Sequence, residues 1–155
     1  MKTSALHPDF GLVVHDVDLN SVTDETFPGI RAAFEQHSAL LFPKQSMDDA
    51  THTRLAEMFG PLENRAAMAA GRDVEFEVSD VSNETETGVL DAAIAHCTRP
   101  EAVYSHQWQV GDVLIWDERA VLHRGRPWDY SEPRSLKSIC CSVPENDGLK
   151  AVKIV

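Results

Sequence analysis

Hydrophobic and polar positions along the N-terminal part of the chain follow two different periods. Leu12 to Leu19 alternates between apolar and polar residues, which predicts a β-strand. Phe27 to His37 has apolar residues at helical spacing, and Thr23-Asp24-Glu25 offers capping groups before it. We therefore expect a strand followed by an amphipathic helix.

A second strand and helix follow directly. Ala39 to Phe42 is a short apolar strand that Pro43 stops. Ser46 to Phe59 predicts a helix with Ser46 as its N-cap, and Gly60-Pro61 ends it.

The second half of the chain predicts mainly strands around one short helix. The predicted helix covers Leu90 to Pro100, and Val113 to Asp117 is an apolar run typical of a strand buried on both faces. Val121-Leu122-His123 is predicted to carry the imidazole inward. The remaining predicted strands are Val74 to Val81, Val103 to Trp108 and Ser135 to Val143.

Composition restricts the class of partner. The chain has 155 residues, of which 43% are hydrophobic, and a net charge of −11. This charge argues against duplex nucleic acid and anionic membrane surfaces, since both are bound through lysine and arginine. The sequence offers no apolar run of membrane-spanning length and no signal-peptide pattern, so we expect a cytoplasmic protein. The three cysteines are expected to be reduced core thiols.

One tract near the C-terminus concentrates the candidate chemistry. Trp108 to Arg134 reads WQVGDVLIWDERAVLHRGRPWDYSEPR and places His123 and Arg134 eleven positions apart. Four arginines lie within sixteen positions of this acidic chain, against two carboxylates, so an anion site is plausible here. The arginines are Arg119, Arg124, Arg126 and Arg134, and the carboxylates are Asp129 and Glu132.

This tract resembles the C-terminal half of the Fe(II)- and 2-oxoglutarate-dependent dioxygenases of the taurine dioxygenase and 2,4-dichlorophenoxyacetate dioxygenase group. A second block, HSALLFPKQSMDDATHTRLAEMFGPLE (residues 37–63), resembles the N-terminal region of the same enzymes without a gap. The resemblance implies an α+β fold, a double-stranded β-helix (jelly roll, cupin-like) with flanking helices. It also implies one dioxygenase-like domain over residues 1–155, with an N-terminal block (1–88) and a C-terminal block (91–155).

The same resemblance implies the roles of individual residues. His123 corresponds to the distal metal-binding histidine for Fe(II), and Arg134 to the arginine that receives the far carboxylate of 2-oxoglutarate. Substrates in this group are small organic acids of the aryloxyalkanoate or sulfonate type, which are hydroxylated with O₂ while 2-oxoglutarate is decarboxylated to succinate. Arg124, Arg126 and Trp128 are candidate substrate-binding residues.

The earlier H-x-D/E element, which supplies the other two ligands of the family's facial triad, is not found. His7-Pro8-Asp9 fits the letters, but it matches the family's N-terminal "LHP" segment. We infer an internal deletion with its junction near Gly88 to Asp91, and expect an incomplete barrel whose open strand edges favour a homo-oligomer. Two hypotheses follow: a dioxygenase, or a catalytically inactive member that binds a small anion or a partner.

Overall fold

A computed structural model describes residues 1–63 and 87–142. These residues divide into two compact units, one formed by 1–63 with 108–142 and the other by 87–107. Within the described residues, no helix is both long and apolar enough to cross a membrane. The predicted strand at Val74 to Val81 lies outside the described residues, whereas the proposed junction near Gly88 to Asp91 falls within them.

A four-stranded sheet organises the larger unit, and its spatial order follows the chain. The strands are β1 (Thr3–Ala5), β2 (Leu12–Val14), β3 (Ala39–Phe42) and β4 (Val113–Trp116). β1 and β2 are antiparallel, β2 and β3 are parallel, and β3 and β4 are antiparallel. β3 and β4 come from different halves of the sequence, so their pairing joins the N-terminal block to the tract that carries His123.

β2 is shorter than the predicted strand at Leu12 to Leu19. It ends at Val14, and residues Leu19–Ser21 form a turn of 3₁₀-helix instead. The Asp18 carboxylate accepts a hydrogen bond from the Asn20 amide at 2.9 Å. This local bond competes with strand pairing, which is how aspartate commonly ends regular structure.

Helix α1 (Phe27–His37) lies between β2 and β3 and has the bounds that the spacing predicts. Its N-cap is Thr26, whereas the Thr23-Asp24-Glu25 segment forms the preceding turn, in which the Thr23 carbonyl accepts from the Phe27 amide at 2.8 Å. At the other end Ser38 is left-handed, with φ of 64°, and its amide donates to the Phe34 carbonyl. The chain can then enter β3 at Ala39 without a longer loop.

Helix α2 (Asp49–Phe59) begins three residues later than the predicted Ser46 start. The N-cap is Asp48, whose carboxylate accepts from the Thr51 amide at 2.7 Å. A carboxylate at this position satisfies an otherwise unpaired amide and faces the positive end of the helix dipole. That hydrogen bond lowers the pKa of Asp48. Ser46 was therefore the wrong cap.

The buried core lies between the two helices and the sheet. All four residues of β3 are buried, and Phe42 and Leu40 are fully so. α1 contributes Ile30, Ala33 and Phe34, and α2 contributes Leu55 and Phe59. The Phe59 ring meets Phe34 edge-on at 5.2 Å. Burying apolar surface at about 25 cal/mol per Å² makes this cluster the main source of stability.

The C-terminal tract is far less regular than predicted. β4 forms, but its residues are only partly buried rather than buried on both faces. Residues 121–123 and 135–139 are not strands, and of the last predicted strand only Cys141 makes a β-bridge, to Leu62. Cys97 and Cys141 are exposed and Cys140 is partly buried, so the described cysteines are free but not core thiols. A strand is stable only beside a paired neighbour, and the described residues offer none to residues 121–123 and 135–139. The sequence alone does not reveal whether such a neighbour exists.

The smaller unit contains helix α3 (Thr87–Cys97) and a 3₁₀ turn (Pro100–Ala102). The helix begins and ends about three residues before the predicted bounds, because the Thr98 hydroxyl bonds the Ile94 carbonyl and residues 98–99 turn before Pro100. The predicted strand at Val103 to Trp108 is not formed with any described neighbour, and these residues have no regular secondary structure.

Candidate active site

The loop that follows β4 is built around Asp117. Its carbonyl oxygen accepts hydrogen bonds from the amides of Ala120 and Val121, both at 3.0 Å, which closes a turn. Its carboxylate accepts from the backbone amide of Arg119 at 2.9 Å and from that residue's guanidinium at 2.7 and 2.8 Å. The turn fixes the chain direction just before His123.

An ion network ties this turn to the first helix. Arg119 reaches Glu35 of α1 at 3.5 Å, and Arg31, one helical turn earlier, pairs with Glu35 at 2.6 Å. Arg31 also donates to the Phe59 carbonyl at the end of α2, at 2.9 Å. The Arg119 guanidinium lowers the pKa of the Asp117 carboxyl, whose side chain is only 12% exposed. The turn is therefore anchored to the two helices of the larger unit by ion pairs that stay charged at neutral pH.

The far end of the tract is anchored as well. Lys137 forms an ion pair with Asp49, in the first turn of α2. Beyond it, the Glu63 amide donates to the Cys140 carbonyl at 2.9 Å, and the Ser142 amide donates to the Pro61 carbonyl at 2.8 Å. Residues 118–136 thus form a long loop that is attached at both ends and exposed in between, except for the partly buried Val121.

His123 lies within this loop and is not directed inward. Its side chain is 55% exposed, its ring centroid is 5.0 Å from that of Trp116, and its Nδ1 is 4.0 Å from a Glu118 carboxylate oxygen. The predicted inward direction is wrong, since residues 121–123 have no strand partner among the described residues that would bury one face. Among the described residues, the buried indole nitrogen of Trp116 has no hydrogen-bond partner.

The other predicted site residues follow along the same loop. Arg124 and Arg126 are exposed. The guanidinium carbon of Arg134 lies 4.6 Å from the centroid of the Trp128 ring, and that ring lies 4.5 Å from the ring of Tyr130. The structure therefore brings Trp128 and Arg134 into contact, while His123 contacts a separate group, Trp116.

A cleft of about 380 Å³ lies elsewhere in the larger unit. It is lined from the N-terminal segment and α1, including Asp16, Asp18, Val22 and Ile30. None of the five predicted site residues lines it. Its lining combines polar and apolar residues, and the candidate chemistry of the chain lies in the loop instead.

The described residues do not complete an iron site. No group of three or more histidine, cysteine, aspartate or glutamate side chains lies together in residues 1–63 and 87–142. All seven histidines of the sequence fall within those ranges. A facial triad needs two histidines and one carboxylate around one ion. The residues around His123 therefore do not fit Fe(II) as a complete donor set.

Two contributors to this loop were missed from the sequence. Asp117 was predicted as the end of a strand and, like His96 and His106, as a spare metal-ligand candidate that its spacing did not favour. Its role in the turn was missed, although an aspartate carboxylate commonly accepts from the backbone amide two residues on. Tyr130 was not considered, and the aromatic–polar–aromatic spacing with Trp128 was the available signal. Neither residue belongs to a regular element, which is why periodicity gave no sign of them.

Comparison with known proteins decides the family. The model of the taurine catabolism dioxygenase TauD, TfdA family matches residues 2–75 and again residues 70–140. The chain belongs to this family. One match covers the N-terminal part of the chain and the other the C-terminal part.

Curated relatives of the TauD/TfdA chain are dioxygenases that it matches over part of their length. It is 49% identical over 49 residues to an alpha-ketoglutarate-dependent 2,4-dichlorophenoxyacetate dioxygenase of Cupriavidus pinatubonensis, covering 32% of this chain and 17% of that enzyme. It is 35% identical over 107 residues to a (S)-phenoxypropionate/alpha-ketoglutarate-dioxygenase of Delftia acidovorans, covering 66% of this chain and 35% of that enzyme. The matched stretch spans no more than about a third of either relative.

A solved structure supports the fold. The crystal structure of AAD-2 in complex with Mn(II) and N-oxalylglycine aligns with a TM-score of 0.71, over 87% of this chain and 94% of that chain, at 16% identity. The likeness supports the predicted jelly-roll dioxygenase fold. The described chain shows four strands of it, so the fold is present in part.

Proposed function

We propose that this protein is an Fe(II)- and 2-oxoglutarate-dependent dioxygenase that hydroxylates a small organic acid, of the aryloxyalkanoate or sulfonate type. His123 is the proposed metal ligand and Arg134 the proposed partner of the far carboxylate of 2-oxoglutarate. The observation that carries the proposal is the family match over both parts of the chain, with His123 and Arg134 retained at their spacing on one anchored loop.

The proposed binding roles follow from the chemistry of the loop. Arg134 presents a planar guanidinium, whose paired N–H groups match a carboxylate in a two-pronged geometry. Arg124 and Arg126 are exposed nearby in sequence and are proposed to meet the carboxylate of the organic acid. Trp128 is a further substrate-contact candidate. The three proposed arginine contacts are all with carboxylates, which agrees with the local excess of arginine.

The oxidative step is not assigned to described residues. His123 with Glu118 at 4.0 Å is an incomplete donor set, and a single imidazole holds Fe(II) weakly. Activity therefore requires further ligands from outside the described residues or from a second chain.

The incomplete donor set favours a second candidate function. In this alternative the chain is a catalytically inactive member of the family that binds a small anion through the arginines of the loop. It needs only Arg124, Arg126 and Arg134, and no metal.

An anaerobic titration with Fe(II) and then 2-oxoglutarate separates the two candidates. The dioxygenase proposal predicts a saturable visible charge-transfer band, because iron chelated by the keto acid absorbs there. His123→Ala should abolish the band, and Arg134→Ala should shift its half-saturation to much higher 2-oxoglutarate. His15→Ala and Arg99→Ala are matched controls outside the loop and should leave the band unchanged.

The opposite outcomes are equally informative. Absence of a band, together with 2-oxoglutarate binding that Arg134→Ala weakens, would support the inactive anion-binding member. A band that survives His123→Ala would contradict the assignment of this histidine. Loss of the band in His7→Ala instead would move the metal to the His7-Pro8-Asp9 segment.

A further inference from the structure

The loop holds Arg134 in a stack of three side chains. Its guanidinium carbon lies 4.6 Å from the Trp128 ring centroid, within the range of a cation–π contact. On the Trp128 ring, Tyr130 packs at 4.5 Å with the two rings inclined by 42°. The guanidinium therefore contacts Trp128, and Trp128 in turn contacts Tyr130.

A compact turn sets the spacing of this stack. One oxygen of the Asp129 carboxylate accepts from the Ser131 amide at 2.9 Å and from the Ser131 hydroxyl at 2.6 Å. The Asp129 carbonyl accepts from the Glu132 amide at 3.1 Å. Pro133 then fixes one backbone angle directly before Arg134. The five residues between Trp128 and Arg134 thus fold back so that the two side chains meet.

Stacking and carboxylate binding use different parts of a guanidinium. The aromatic ring contacts the flat face, whereas the N–H donors point outward in the plane of the group. An arginine held by its face keeps its edge available for a carboxylate. A stacked arginine has also lost rotamer freedom before the ligand arrives, which lowers the entropic cost of binding.

We infer that Trp128 is a positioning residue for Arg134, which holds the guanidinium by its face so that the edge can receive the far carboxylate of 2-oxoglutarate. This inference rests on the proposed function, in which Arg134 binds that carboxylate. It gives Trp128 a role through Arg134 in addition to any contact with the substrate. Tyr130 packs against the same tryptophan ring.

The expected size of the effect follows from the exposure of the stack. Trp128 is 44% exposed. A cation–π contact at an exposed site contributes about 0.5–1 kcal/mol, which corresponds to about a two- to fivefold change in affinity. Removal of Arg134 itself should have a larger effect, because it removes the charge-assisted hydrogen bonds directly.

The test combines a structural and a binding readout on the full chain by NMR. The first readout is the chemical shift of the Arg134 side-chain Nε–H, which the ring current of a stacked tryptophan displaces. This resonance is assigned by its loss in Arg134→Lys. The second is the dissociation constant of 2-oxoglutarate from a titration. The variants are Trp128→Leu, Trp128→Phe, Arg134→Ala and, as control, Trp108→Leu, which removes a second tryptophan of similar exposure, 43%.

The inference predicts that Trp128→Leu moves the Arg134 resonance toward its unstacked position and weakens 2-oxoglutarate about two- to fivefold. Trp128→Phe should recover part of both effects, and Trp108→Leu should change neither. If Arg134→Ala weakens binding but Trp128→Leu does not, the inference is overturned while the proposed role of Arg134 stands. If Arg134→Ala leaves the affinity unchanged, the role of Arg134 fails, and the inference fails with it.

Discussion

At the scale of single residues, Gly111 shows how little freedom the entry to β4 has. Its φ is +89°, and a Cβ added there would lie 2.7 Å from the Gln45 carbonyl oxygen. The Gly111 carbonyl also accepts from the Gln45 amide, so the two backbones are in direct contact. The joint between the N-terminal block and β4 therefore depends on a residue without a side chain.

Gly111→Ala should lower the free energy of unfolding by about 1–3 kcal/mol, through backbone strain and the displaced Gln45. Gly29→Ala is the matched control, because an added Cβ there meets nothing within 4 Å in α1. Alanine at that helical position should be neutral or slightly stabilising. Urea denaturation of both variants measures the difference, and equal stabilities would contradict the close approach at Gly111.

Asp117 gives a prediction about pH. Its pKa is lowered in the folded chain by the hydrogen bonds and charge of Arg119, so its contribution to stability is complete above the unfolded value of ~3.9. It is lost as the pH falls below that value through the folded pKa. Asp117→Asn should therefore reduce stability at pH 7, and its stability should fall less steeply than that of the parent below about pH 4. Parallel stability curves for the two proteins would contradict this account.

At the scale of elements, the start of α2 distinguishes two possible caps. The Asp48 carboxylate bonds the Thr51 amide, whereas the sequence pattern favoured Ser46. Asp48→Ala should lower the thermal midpoint by a few degrees, and Ser46→Ala should leave it nearly unchanged. Circular dichroism melts at neutral pH compare them. A larger loss for Ser46→Ala would return the helix start to the position that the sequence predicted.

Elements with strong periodicity could be predicted and those that depend on a distant partner could not. α1 and β3 have the predicted bounds, because an amphipathic spacing or a short apolar run is enough to define them. The strands expected at 121–123 and 135–143 have suitable residues, but no described neighbour pairs with them beyond one bridge. Strand formation is a property of two segments, and the sequence shows only one at a time.

The candidate site divides in the same way. Family resemblance indicated His123 and Arg134, and the contact of Arg134 with Trp128 agrees with a functional loop. The turn at Asp117 is tied to α1 through the contact of Arg119 with Glu35. Such contacts between residues more than eighty positions apart leave no periodic signal.

At the scale of the whole molecule, the described chain carries a partial jelly roll with exposed apolar side chains. Leu122 is 69% exposed and Tyr130 78%, and both lie in the loop after β4. A closed barrel has no free strand edges, whereas a partial one leaves unpaired strands available to another chain. We expect a second copy of the chain to bury these groups.

The isolated protein should therefore be a dimer or aggregate at micromolar concentration. Light scattering coupled to gel filtration measures its mass across a concentration series. The mass should exceed that of the 17.2 kDa chain and rise with concentration. A stable monomer with a sharp thermal transition would contradict the view that barrel strands are missing.

A crystal structure with Mn(II) and N-oxalylglycine is the strongest test of the proposal that His123 and Arg134 form one cosubstrate site. The account predicts the metal on the imidazole of His123, the far carboxylate of N-oxalylglycine on the edge of the Arg134 guanidinium, and the additional metal ligands visible in the same map. Binding of Mn(II) and N-oxalylglycine away from both residues would contradict the proposal. So would a loop that holds neither Mn(II) nor N-oxalylglycine at saturating concentrations of both.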